Sequence, residues 1–388
     1  MNTSDLPTRR TALRAAAVGS VGLGTAAGAA AASAAPTGHG HPHHGQGNGG
    51  HGHGGRPGHD HGHHGAPGTD LPGGRGIEPG AYAFVAVTTA TAWVEPGLAR
   101  DIDAPALANP VDLDEWNAAM AETEPRRWLT GKLETQAVLG SPVIVDEVDG
   151  EWAHVVVTTQ PSPRDSRGYP GWIPVRQLVV DDRFADLAES ARTATVTAKR
   201  SRLSRTPSGR HAGIEVSFDT ILPVLHRSGH AVEVALPGGD SGFLPADDVV
   251  VREHGEQPPR PTVEDIIATG ERFLGLRYLW AGVSAFGYDC SGYTYTLFHH
   301  HGITLNRDAG PQKTDSGLEP VDRKDLRRGD LVFFSTEPGA ESIRHVALYV
   351  GDDMIMQAPN AERSVEVVSL TEYDTDGEYA GARRVLQV

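Results

Sequence analysis

The sequence predicts two small all-β barrels followed by an α+β domain. Three observations carry that prediction. Between residues 80 and 252, short alternating apolar runs are broken by turn residues; near residue 262 capped helical segments begin; after these, strands return. The chain of 388 residues is long enough for two or three hydrophobic cores. Its 47 Gly and 27 Pro are too many for a long helical bundle. No apolar run approaches the ~20 residues of a mature membrane span. A formal net charge of −16 argues against a nucleic-acid partner held by phosphate neutralisation. A single cysteine excludes an intramolecular disulfide, a thiolate zinc site and an iron–sulfur cluster.

The first 35 residues read as a removable twin-arginine export signal. Arg9-Arg10 precedes a mildly apolar Ala/Gly stretch, and Ala32-Ser33-Ala34 offers a small-x-small cleavage site. A tail with two chance arginines is the plainer alternative. No cysteine follows the apolar stretch, so a lipid anchor is not expected. Residues 36–79 read as a disordered His/Gly-rich segment. Of the 28 residues 38–65, twelve are Gly and ten are His, with no hydrophobic face to offset the entropy of ordering. Such imidazoles bind zinc, nickel or copper loosely, but they imply no metal-dependent function and no structural metal site.

Residues 80–182 form the first β segment, with runs at Ala83–Val87, Ala137–Val148, Trp152–Thr158 and Gly171–Val180. Val111–Leu133 reads as a helical insertion in it, with Trp116, Met120, Trp128 and Leu129 as packing candidates. Residues 190–252 repeat the strand-and-turn pattern, and Pro258, Pro259 and Pro261 stiffen the linker that follows. In residues 262–388, Thr262 caps a helix Val263–Leu274, with Asp265 at its third position. A second helix, Cys290–His301, is stopped by Gly302. Strands follow at Asp330–Phe334, His345–Val350, Met354–Gln357, Val365–Leu370 and Tyr379–Leu386.

Tyr288-Asp289-Cys290-Ser291-Gly292 opens that second helix. A thiol in a first helical turn faces unsatisfied N–H groups and the positive end of the dipole, which favours the thiolate and makes Cys290 a candidate nucleophile. A small buried core residue is the competing reading. A nucleophilic thiol needs a base, and the base needs an orienting partner. His345 opens one strand, and Gln357, twelve residues later, lies on the next. A tight hairpin makes them neighbours, with the Gln357 oxygen on one imidazole nitrogen and Cys290 facing the other. Taken alone, each is equally compatible with a solvated surface position.

The order of these elements resembles the NlpC-type family of papain-like bacterial cell-wall cysteine peptidases. The matching elements are Arg277-Tyr278-Leu279-Trp280, Asp289-Cys290-Ser291-Gly292, Arg307-Asp308 with Gln312, Gly329-Asp330-Leu331-Val332-Phe333-Phe334, and the histidine strand ending at Gly351. The resemblance implies Cys290 as nucleophile, His345 as base and Gln357 as orienting residue, a position where many members carry histidine. Upstream, Asp101–Leu107, Arg127–Leu129, Leu133–Ala137 and Gly168–Trp172 resemble a branch with two bacterial SH3-like barrels ahead of an α+β papain-like domain. That branch consists of γ-D-glutamyl-L-diamino-acid endopeptidases acting on peptidoglycan peptides with a free N-terminal L-Ala. The resemblance further implies that Asp289 and Ser291 hold the substrate's amino end and that Tyr278 lines the cleft. Helix capping by Asp289 and core packing of Tyr278 are the structural alternatives. Arg307 is open between a substrate carboxylate and an ion pair with Asp308 or another acid. At Leu139 branch members tend to place a substrate-facing Tyr. The implied chemistry is a Cys290 thioester, with helix-start N–H groups stabilising the oxyanion and no cofactor. A non-catalytic wall-binding protein and an amidase or acyltransferase are the alternatives. A monomer, secreted or associated with the cell wall, is expected.

Overall fold

The computed structural model describes residues 73–209 and 213–387; the expected export signal and all but the end of the His/Gly-rich segment lie outside them. Among the described residues no helix is long and apolar enough to cross a membrane.

The first β body is a seven-stranded antiparallel sheet ordered Leu133–Val138, Thr89–Trp93, Tyr169–Pro174, Trp152–Val157, Pro142–Asp149, Tyr82–Val85, Leu178–Val179. Val143 and Val145 are fully buried with Val155, Val157 and Ile173, while Ile144 between them is not, as period-2 alternation requires. The run expected over Ala137–Val148 is two strands rather than one, because Gly140 adopts φ +81° and turns the chain.

The helical insertion begins earlier than Val111 and ends before Leu133, which starts a strand. It comprises a 3-10 turn Asp101–Asp103 and helices Ala104–Leu107, Leu113–Ala119 and Thr123–Arg127. A buried carboxylate organises it: Asp103 accepts from Arg100 Nε and Nη2 and from Trp116 Nε1, at 2.8–2.9 Å. Trp116, Met120 and Leu129 are fully buried, whereas Trp128 is 37% exposed with the Arg100 guanidinium 4.0 Å over its ring. The insertion's apolar side packs on Leu279, Ala281 and Phe286 of the last domain.

The second β body is a five-stranded sheet ordered Ser241–Pro245, Ala231–Ala235, Ile221–Arg227, Thr193–Val196, Val249–Arg252, with a two-stranded ribbon of Arg200–Arg202 and Glu215–Ser217. The two β bodies share one hydrophobic cluster. Phe84, Leu139 and Val179 of the first meet Ala194, Val196 and Leu222 of the second, with Phe184 of the helix Asp182–Ala188 between them.

In the last domain the helix Val263–Glu271 carries a full capping box: Thr262 Oγ1 accepts from Asp265 N–H at 3.2 Å, and Asp265 Oδ2 accepts from Thr262 N–H at 2.8 Å. The helix Cys290–His300 ends at Gly302, φ +80°. It packs on a six-stranded antiparallel sheet ordered Glu319–Val321, Tyr379–Arg384, Asp330–Ser335, Ile343–Gly351, Met354–Gln357, Glu366–Ser369.

The far end of the cysteine helix is held by the second β body. Asp219, at φ +65° in the turn after Glu215–Ser217, accepts from His299 Nδ1 at 2.5 Å and from His300 Nδ1 at 3.2 Å. Burial opposes a charge on His299, but the charge and hydrogen bond of Asp219 outweigh it and raise its pKa. A raised histidine pKa stabilises the fold fully below about pH 6.5, and that stabilisation is lost as pH rises through the folded value. Asn tolerates the left-handed backbone of position 219, so Asp219→Asn removes charge without strain. Its thermal denaturation should show a loss of about 1–3 kcal/mol at pH 6, with a smaller gap to the unmodified protein at pH 9.

Candidate active site

The site forms where the start of the cysteine helix meets the hairpin of Ile343–Gly351 and Met354–Gln357. The hairpin turn is built on Asp352 and Asp353, at φ +51° and +59°, and its register pairs Leu348 with Met356. His345 and Gln357 are buried at 1% and 0% exposure, and His345 Nε2 donates to Gln357 Oε1 at 2.7 Å. The proton therefore sits on Nε2 and the lone pair on Nδ1, which is buried and has no hydrogen-bond partner among the described residues. Gln357 Nε2 in turn donates to Glu366 Oε1 at 3.1 Å. A carboxylate thus stands behind the amide, one hydrogen bond further from the imidazole than in a direct His–carboxylate pair.

Cys290 is the first residue of its helix, and Asp289 is the N-cap, accepting from Gly292 N–H at 2.6 Å. Backbone N–H groups of Val346, next to His345, and of Ser291 act on the sulfur and favour its anion, but burial and then the Asp289 charge outweigh them. The thiol is pushed up to about 12, contrary to the expected stabilisation of the thiolate by the helix start alone. Burial lowers His345 to about 4, against the support of Gln357. Burial thus works against the charged form of both the thiol and the imidazole.

The residues flanking the thiol are held by one buried ion pair. Arg307, 1% exposed, donates through Nη2 to Asp289 Oδ2 at 2.8 Å, through Nη1 to Asp289 Oδ1 at 3.1 Å and Ser291 Oγ at 3.0 Å, and through Nε to Thr135 Oγ1 at 3.0 Å. The ion pair open to Arg307 is therefore made with Asp289, not with its neighbour Asp308. Asp308 accepts from the Tyr169 hydroxyl at 2.8 Å instead. Gln312 staples this loop to the helix, donating to Ser291 O and Asn306 O and accepting from Thr294 Oγ1. Tyr278 is 5% exposed beside the thiol; burial, and then the charges of Cys290 and Asp289, raise its phenol. Its carbonyl accepts from Arg126 Nη1 at 2.8 Å.

Thus Cys290, His345, Gln357, Tyr278, Asp289, Ser291 and Arg307 gather in one place. Leu139 does not join them: it is 1% exposed in the cluster shared by the two β bodies, with Phe184 and Leu222. The first-body tyrosine that reaches the site is Tyr169. Sequence reasoning also missed Thr135, Glu366 and Tyr373. The Tyr373 ring lies 5.4 Å from that of His345 and 4.9 Å from Phe334, carried by a four-residue helix Leu370–Tyr373 too short to leave a periodic signal.

Residues 275–384 match the NlpC/P60 family, and residues 196–251 match the YKFC SH3b2 domain. The γ-D-glutamyl-L-lysine dipeptidyl-peptidase of Bacillus cereus is 44% identical over 306 residues, covering 78% of this chain and 91% of that protein. The enzyme of the same name from Bacillus subtilis is 35% identical over 296 residues, covering 76% and 96%. The crystal structure of an NlpC/P60 family protein from Bacillus cereus aligns with a TM-score of 0.75 at 43% identity, covering 79% of this chain and 100% of that one. The α+β domain is thus papain-like and is preceded by β-rich SH3-like structure, and the chain belongs to the NlpC/P60 family of cysteine peptidases.

Proposed function

We propose that this enzyme hydrolyses the bond between γ-D-Glu and an L-diamino acid, lysine or diaminopimelate, in peptidoglycan peptides. The observation that carries the mechanism is the bare Nδ1 of His345, fixed by Gln357 on a strand whose next N–H acts on the Cys290 sulfur. His345 Nδ1 takes the thiol proton as Sγ bonds to the γ-carbonyl carbon. Helix-start N–H groups stabilise the oxyanion. The C–N bond breaks as the imidazolium returns that proton to the departing α-amine, leaving a thioester on Cys290. Water, deprotonated by the same nitrogen, then releases the acid and the thiol. Burial disfavours the charged form of both groups before attack. The Gln357–Glu366 chain steadies the transient imidazolium.

The substrate assignment is supported by the relatives named γ-D-glutamyl-L-lysine dipeptidyl-peptidases. A free amino end suits the flank where the carboxyl groups of Asp289, Asp308 and Glu134 lie among the guanidiniums of Arg307 and Arg164. Carboxyl oxygens there can accept from an ammonium group; Asp289 and Ser291 act there within the Arg307 network, and Tyr278 lines the thiol. The leader at 1–35 fits twin-arginine export, and a monomer acting outside the cytoplasm or at the wall completes the reading.

Mass spectrometry of L-Ala-γ-D-Glu-L-Lys incubated with the enzyme should show released lysine. The N-acetylated peptide should be spared, and a Cys290→Ala variant should release nothing. Cleavage of both peptides would overturn the amino-end assignment, and cleavage of neither would overturn the substrate. Gln357→Ala should lower kcat on the order of tenfold to a hundredfold with little change in KM, since an unanchored imidazole still accepts a proton but is less often aligned. A protonated Nδ1 cannot act as base, so kcat/KM should fall as pH drops through about 4, well below an ordinary histidine.

A further inference from the structure

Beside the catalytic histidine lies a second charged cluster, formed by Arg344, Glu378 and Tyr373. Arg344, adjacent to the base, donates through Nε and Nη2 to one oxygen of Glu378, and the Tyr373 hydroxyl interacts with the same guanidinium. These contacts engage three of the five N–H donors of an arginine, and the side chain is 36% exposed, so donors remain for an outside acceptor. Tyr373 connects the cluster to the chemistry. Its ring lies 5.4 Å from that of His345, and the Cys290 charge and those of Arg344 and Arg363 all act on its hydroxyl. Arg363 is held on Glu366 at 2.8 Å, the carboxylate that also accepts from Gln357. Both guanidiniums are thus aimed by glutamates without being buried by them.

We propose that Arg344, positioned by Tyr373 and Glu378, recognises the α-carboxylate of the departing diamino acid and so selects peptides that end at that residue. This rests on the γ-D-glutamyl peptidase reading. In this proposal the amino end sits on the Asp289 flank and the peptide crosses Cys290 towards Tyr373, so that the carboxyl on the carbon next to the scissile nitrogen comes to Arg344. A planar guanidinium fork matches a free carboxylate and has no equivalent pairing with a neutral amide. Peptides carrying a further residue present an amide there.

The test compares kcat/KM for L-Ala-γ-D-Glu-L-Lys with that for its C-terminal carboxamide. The unmodified enzyme should favour the acid on the order of tenfold. Arg344→Gln should bring the ratio near one, Arg344→Lys should leave an intermediate ratio, and Tyr373→Phe should reduce it in part. Equal rates on acid and amide by the unmodified enzyme would overturn the proposal while leaving the peptidase reading intact. So would a ratio undiminished in Arg344→Gln or, should that variant fail to fold, in Arg344→Lys. Cleavage of neither peptide would remove the peptidase reading and the proposal with it.

Discussion

The buried pair of Asp289 and Arg307 is the interaction on which the site depends. Asp289 caps the helix that begins with Cys290, so its position sets where the sulfur lies and which N–H groups stay free beside it. Arg307 neutralises that carboxylate, and its third arm, Nε, reaches Thr135 of the first β body. Without the guanidinium, Asp289 would be an uncompensated buried charge next to a group that must itself become an anion. Breaking a buried pair from one side costs roughly 3–5 kcal/mol, and here the damage would extend to helix start, sulfur and domain contact together.

The catalytic pair is arranged for reactivity on demand. Burial disfavours charge on both the thiol and the imidazole, since each would be desolvated. When the proton moves, the cation is formed on a ring already committed by Nε2 to Gln357, and the amide hands the electrostatic demand on to Glu366. The glutamine in the orienting position is thus itself backed by a carboxylate, Glu366, one strand further out.

The sequence reveals much of this because local rules decide it. Thr262 with Asp265, Gly302 after the cysteine helix, and the hairpin spacing from His345 to Gln357 are short-range signals, and each forms as expected. What stayed hidden depends on long-range partners. Arg307 offered several acids, and only the fold chooses Asp289 over the adjacent Asp308. Leu139 stood in a strand-like run with no sign that Gly140 would turn it towards Phe184 and Leu222. The thiol's raised pKa followed from burial, which no spacing along the chain reports, and it outweighed the helix-start effect that spacing does report. Trp128 looked like core and lies at the surface, because Arg100 rather than apolar side chains covers its ring.

The hydrophobic seam of Trp116, Leu129, Leu279 and Phe286 joins an insertion in the first β body to the chain just ahead of Cys290. Together with the Asp219 contact at the other end of the cysteine helix, it makes the β-rich half part of the peptidase's own scaffold. Swapping that half for an unrelated wall-targeting module would strip apolar surface and polar anchors from both ends of the nucleophile's helix. This enzyme is consequently a poor donor for cut-and-paste chimeras, and changes in its specificity are better sought by substitution within the intact chain.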